Sequence, residues 1–341
     1  MIVRYVCFVC TVALVAAAPI CSRADVTVTQ HLATGGSGPL ALGAMDGTTE
    51  TAIAGNRARI ASDMHFKVAF LRFMTGHSGE SLQLIRLDED LVDEVDTRKK
   101  RYSETTFEEY RAAMKKASDD IEAAQRQQSA GTPTMDDSTC EWQPAETTVR
   151  RSGERVQIAG FEGEQVAVRR TQACIDKASG QRCNFTFAIE EWLAAEIPGL
   201  REQSEFWKAY AKRLSGGDAM TQPGAQALNT VFSRYKDSWG DMMAKTATLK
   251  GYPLKSVISM HVGGAGCESG QPAGASGVAN PPGALLGLLG KLGKHSDSTP
   301  VSPDGVELFN MTTETTAITS APIPAERLQV PPDYKLSKKR I

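Results

Sequence analysis

The side chains whose type and spacing bear on chemistry are few. The five histidines are His31, His65, His77, His261 and His295. No two stand four residues apart and no H-E-x-x-H occurs, so zinc-hydrolase chemistry has no ligand pattern to work from. They read as strand or solvated histidines. Asp88, Asp90, Asp93 and Asp96 resemble calcium ligands in spacing, but the glycine and terminal glutamate of a calcium loop are missing. They read as the charged face of a hairpin. Gly35-Gly36-Ser37-Gly38 and Gly274-Ala275-Ser276-Gly277 approach a nucleophile elbow without the strand-to-helix frame it needs. No phosphate-cradling or dinucleotide glycine motif is found. No catalytic residue, metal ligand or cofactor is assigned.

The cysteines read as staples. Four of the seven, Cys140, Cys174, Cys183 and Cys267, lie beyond the N-terminal segment. Val166 and Val168 lead into the Cys174–Cys183 segment in period two, and Phe185, Phe187 and Ile189 lead out of it. A four-residue loop at Lys177 to Gly180 sets Asp176 opposite Gln181, Ile175 opposite Arg182 and Cys174 opposite Cys183. Directly opposed residues bring their Cβ atoms within disulfide range. Closing a loop of this size is worth about 2.7 kcal/mol on a chain-entropy account. Elimination leaves Cys140 for Cys267, with nothing local to support the pair. A four-cysteine zinc site lacks any close C-x-x-C spacing.

The N-terminus carries an address. Arg4 is followed by an apolar and small-residue stretch from Tyr5 to Ile20. Ser22-Arg23-Ala24 then places small residues at the −3 and −1 positions of a cleavage site before Asp25, the pattern of a secretory signal over residues 1–24. The core is short for a membrane span and Pro19 sits near its end. Cys21 lacks the preceding Leu-small-small triplet of a lipidated cysteine. With Arg4 and Arg23 removed, the 38 basic residues become 36 against 40 acidic ones, a mature charge of about −4. That balance excludes a global footprint for nucleic acid. Arg98-Lys99-Lys100-Arg101 is basic but reads as a solvated turn between acidic neighbours. An even cysteine count in an exported chain suits two disulfides.

The elements that must position these groups come in two blocks. Strand-like alternation runs through Val26 to His31, Ala52 to Ser62 with a break at Gly55-Asn56, Ser81 to Asp88, Asp90 to Val95 and Arg101 to Ser103. Thr34 to Pro39 reads as a loop. Thr106-Phe107-Glu108-Glu109 is a capping box opening a helix that ends near Gln128. A second strand group holds Val156 and Ile158, a turn at Gly160 to Gly163, and the cysteine hairpin as far as Trp192. Helices then dominate, with Phe206, Trp207, Tyr210 and Leu214 on one and residues 228–243 on another. Leu254 to Val262 and Val306 to Ser320 return to strand. Between them, residues 263–305 form a Gly-rich insertion carrying Leu285, Leu288, Leu289 and Leu292 at helical spacing beside Lys291 and Lys294. A basic tail occupies residues 337–341.

Several ordered pieces resemble an uncharacterised family of exported bacterial proteins, a domain of unknown function. They are Leu84-Ile85-Arg86-Leu87-Asp88, Val95 to Glu104, Ile158-Ala159-Gly160-Phe161, Trp192-Leu193 with Ile197-Pro198-Gly199, Lys250 to Leu254, and Val330 to Lys335. That family is similar in organisation to the periplasmic lipoprotein-carrier superfamily. The resemblance implies an α+β fold: a strongly curved antiparallel sheet, a half-barrel, covered by helices and interrupted by the insertion. It implies one domain over residues 25–336, in the periplasm or outer envelope of a bacterium. It supplies no catalytic residue. The expected function is a non-enzymatic protein holding a lipid, acyl chain or hydrophobic polypeptide in an apolar cleft. The rivals are an envelope hydrolase with a site assembled from distant residues, and a membrane-surface scaffold acting through residues 284–295.

Overall fold

The computed structural model describes residues 25–36, 44–67, 79–113, 115–116, 119, 140–215, 241–242, 244–264 and 305–337. Thirteen strands among them form one sheet. They are β1 (Val26–Gly36), β2 (Met45–Ala54), β3 (Arg57–Phe66), β4 (Gly79–Arg86), β5 (Leu91–Asp96), β6 (Arg101–Thr106), β7 (Cys140–Trp142), β8 (Glu146–Ile158), β9 (Phe161–Asp176), β10 (Arg182–Ala194), β11 (Tyr252–Gly263), β12 (Val306–Thr319) and β13 (Lys335–Leu336). The one long helix described, α1 (Leu200–Ser215), lies between β10 and β11. Across the sheet the order is β13–β6–β5–β4–β3–β2–β1–β12–β11–β10–β9, with β7 and β8 both on the far side of β9. All pairings are antiparallel except β13 with β6.

Two meanders, β1–β6 and β8–β12, are thus joined where β1 meets β12. Their hairpins follow from local chemistry. Gly55 at φ 58 turns β2 into β3, and Ala159 and Gly160 at φ 50 and 84 make the two-residue turn that suits the twist of β8 and β9. The latter turn sits earlier than the expected Gly160–Gly163, because Phe161 already pairs with Ile158. The expected loop at Thr34 likewise gives way to strand, since β1 stays paired with β12 as far as Gly36.

The sheet is open, neither closed nor strongly curled, so the strong curvature implied by the resemblance is not seen. Helices are few among the described residues, and most of the second helix expected after Trp192, over residues 228–243, lies outside them. Beyond α1, that part of the chain contributes only a short helical stretch at 241–246 among the described residues. No helix among these residues is long and apolar enough to cross a membrane.

The main core forms where α1 meets the first meander. Val26, Ile53, Ala58, Ile85 and Val92 stand opposite one another in turn across β1 to β5, and all are buried. Phe206, Tyr210 and Leu214 recur at helical spacing on α1 and close over them. Phe107 is fully buried with its ring edge-on to Tyr210 at 5.7 Å. The capping box ahead of it forms as expected: Thr106 N–H donates to Glu109 Oε2 at 2.9 Å and Glu109 N–H donates to Thr106 Oγ1 at 3.2 Å. Gly199 sits where α1 leaves the sheet. A Cβ there would come within 2.8 Å of Ser320 Oγ and 3.3 Å of Val26 Cβ, at a φ of 82 that already favours glycine.

On the opposite face the C-terminal residues run as a strap. Ile323 N–H donates to Asp25 Oδ2, Arg327 pairs with Glu50, and Leu328 is buried against β3. The strap ends with β13 laid along β6, where Lys100 meets Asp333 at 2.7 Å.

The cysteine hairpin has the expected register, with Cys183 opposite Cys174 and Arg182 opposite Ile175. Gly180 N–H donates to Asp176 O across the turn. Both cysteines are at most 5% exposed and pack with Phe185 under Trp142. A non-reducing peptide map is expected to recover Cys174 and Cys183 in one linked peptide. Two alkylatable thiols at these positions would rule the bond out.

Candidate functional site

Register sorts the side chains of this sheet sharply. Directly paired residues share a face, so one face carries Ile85, Gln83 and Ser81 of β4, Ile60, Ser62, Met64 and Phe66 of β3, and Gln30 and Leu32 of β1. It continues through Thr313 and Met311 of β12, Ser256 and Ile258 of β11, and Phe187, Ile189 and Glu191 of β10. From β4 to β10 in sheet order, Glu191 is the only described strand residue on this face that carries a formal charge. The same strands send Arg57, Arg59, Asp63, Arg86, Glu314 and Lys255 to the other face.

The uncharged face has two apolar regions separated by a polar row. α1 covers the lower one. Between them run Thr315, Gln30, Thr49 and Ser62, with Thr49 and Ser62 hydroxyls 3.1 Å apart. The upper region is rich in methionine. Val168, Phe187, Ile189, Met242 and Met260 are buried there, while Ile258, Phe309 and Met311 are only partly so. It extends across β1, β2 and β3 as Leu32, Met45, Met64 and Phe66, all partly exposed. Flexible, polarizable thioethers adapt to apolar surfaces of varied shape. Arg170, the first cation beyond Glu191, lies on β9 and is held by Asp241 at 2.8 Å and by Thr147.

Glu191 stands between Val166 and Ser256. It is half-buried, and burial alone pushes its carboxyl above the usual range. It forms no hydrogen bond or ion pair among the described residues.

The charged face holds a second feature, a cleft of about 290 Å³ lined by Arg57, Arg86, Glu89, Tyr102, Glu104 and strap residues Gln329 and Val330. Arg86 is its hub. It donates to Glu89 at 2.6 Å, Asp93 at 2.8 Å and Glu104 at 2.7 Å, while Arg57 holds Asp88 and Glu89. Burial alone would lower the Arg86 guanidinium, but its three carboxylates outweigh that and raise it, so it stays charged. Asp93 is fully buried, and burial pushes its carboxyl up despite Arg86. Asp93 thus stands on the charged face of its hairpin, but buried within it. Asp88, Asp90 and Asp96 do lie at turns. The cations of this cleft are consumed by neighbouring carboxylates, so the arrangement serves to hold the strap side together.

His31 and His65 lie on the charged face beside Asp46 and Asp63, at 3.2 and 3.0 Å. His261 sits on β11 opposite Thr186. Among the described residues, no group of three His, Cys, Asp or Glu side chains is placed to hold a metal ion. Cys140 opens β7 opposite Asp176. Cys267, His77, His295, Leu285, Leu288, Leu289, Leu292 and the signal segment lie outside the described residues. The chain matches no protein-family model, no curated protein and no solved structure.

Sequence reading missed both Asp93 and Glu191, although a signal was present. Asp93 is in phase with Leu91 and Val95, and Glu191 with Phe187 and Ile189, so each is a charge on the apolar beat of its strand.

Two measurements follow from this geometry. Arg86 has three acceptors, but among the described residues the Asp93 side chain is held by Arg86 alone. Arg86→Met is therefore expected to cost about 3–5 kcal/mol by stranding a buried carboxylate. Asp93→Leu is expected to cost under about 1 kcal/mol and to rescue Arg86→Met in the double variant. Denaturant midpoints of the four proteins decide it; equal losses for the two single variants would refute the asymmetry. For Glu191, a folded-state value raised above the unfolded one makes stability fall as pH rises through that interval. Glu191→Gln is expected to be more stable than the parent at neutral pH. The gap should close as pH drops below the ordinary value of 4.5. Parallel stability curves over that range would count against it.

Proposed function

We propose that this chain is a non-enzymatic, exported envelope protein that holds an apolar ligand, a lipid or acyl chain, against the uncharged face of its sheet. One observation carries the reading: from β4 to β10 the described strands send a single formally charged side chain to that face, and its upper part is a partly exposed, methionine-rich band. A sheet face turned to water ordinarily carries polar or charged residues on its outward beat, and the other face of this sheet does. An apolar band left partly open marks a binding surface.

The resemblance to exported proteins organised like periplasmic lipoprotein carriers points the same way. Those proteins use an antiparallel sheet with an apolar face under helices, and α1 at one end of this face suits that plan. The enclosing half-barrel, with helices over the whole face, belongs to this proposal. The cleft beneath the strap does not serve the role, since paired charges line it.

The mature protein purified from its host under mild conditions is expected to carry lipid, detected by native mass spectrometry and by organic extraction. Met311→Lys should lower the bound amount several-fold with folding intact, because a charge set into an apolar contact loses the burial and adds desolvation. Protein recovered empty, and unable to bind an apolar fluorescent probe, would overturn the proposal.

A further inference from the structure

The geometry points to Glu191 as the head-group anchor of the uncharged face, and to a single-chain amphiphile with a cationic amine head as its occupant. This rests on the reading of that face as an apolar-ligand surface and narrows it to one class of ligand. Three observations support it. First, Glu191 is half-buried and unpaired among the described residues, and a carboxylate that has lost part of its hydration is costly unless something neutralises it. Second, the described cations around it are engaged elsewhere: Lys255 of the neighbouring strand points to the other face and pairs there with Glu314 at 2.7 Å, Arg170 is held by Asp241, Lys245 donates to Thr147 O at 3.1 Å, and Arg151, in the same row two strands away on β8, pairs with Glu164 at 3.3 Å.

Third, the surroundings of Glu191 have the order that an amphiphile needs. Ser256 and Thr313 follow it at the same level across β11 and β12 and offer hydroxyls to a polar head. Ile258, Met311 and Leu32 lie beside them and are only partly buried, a surface on which a tail can lie. An anionic head would meet a like charge, and a neutral head could donate a hydrogen bond but would leave the charge uncompensated. An ammonium supplies donors and the opposite charge together.

The test uses alkyl probes of one chain length bearing an ammonium, a hydroxyl or a carboxylate head, titrated calorimetrically into the purified protein below their micelle-forming concentrations. The ammonium probe is expected to bind about tenfold more tightly than the hydroxyl probe, the scale of one charge-assisted hydrogen bond, and the carboxylate probe more weakly than either. Glu191→Gln should bring the ammonium probe down to the hydroxyl level and leave the hydroxyl probe unchanged. Added salt should weaken ammonium binding to the parent protein and spare hydroxyl binding, a readout that stands even where the variant fails to fold. Equal affinity for the three heads, a salt-insensitive ammonium probe, or a variant that keeps the preference would overturn the anchor while leaving the apolar face in place. Failure of every probe to bind would overturn the face and the anchor together.

Discussion

The structure depends on strand register. Side chains alternate with period two, so a slip of one residue sends a strand's entire apolar set to the other side. From β1 to β6 the register holds without a break. Arg57, Arg59 and Arg86 therefore all emerge on one face, while Ala58, Ile60 and Ile85 emerge on the other. In β12 the phase is corrected by a bulge. The pairing shifts between Thr29 and Gln30, so that both Ile318 and Met311, an odd number of residues apart, reach the same face. Without that extra residue Ile318 and Met311 would lie on opposite sides of the sheet, and the β12–β10 part of the methionine band would be parted from Leu32 and Met64 or from the core under α1.

Each face is stabilised by its own chemistry. Under α1 the interactions are apolar and aromatic, with Phe107, Phe206 and Tyr210 packed against the row from Val26 to Val92. On the reverse, cross-strand ion pairs and the strap do the holding, with Arg86 as hub and Glu50 accepting from both Arg59 and Arg327. Most of these pairs are partly solvated and individually weak. The Arg86–Asp93 contact is the exception, because the buried Asp93 carboxylate cannot turn to water instead.

Much of the strand plan was legible in the sequence, and the reasons are local. The cysteine hairpin could be registered from alternation on both sides of a turn, and the capping box from four residues. Asp93 and Glu191 were legible in principle as charges on an apolar beat, but composition alone made them look like solvated surface. The one-sided distribution of charge was not legible. It requires the phase between β1 and β12, which are neighbours in space and remote in the chain. The expected strong curvature came from a resemblance and had no counterpart in the periodicity. Sheet curling depends on twist and bulge placement summed over many strands.

The β1–β12 seam also bears on how the chain reaches its final form. Thr316 Oγ1 donates to Thr29 O across 287 residues of sequence. One side of β1 thus has no partner until nearly the whole chain exists. Long-range closures of this kind are slow. Throughout synthesis the centre of the future sheet is an exposed edge, prone to pair with other chains. A polypeptide of this design stays unfinished until its last long strand arrives.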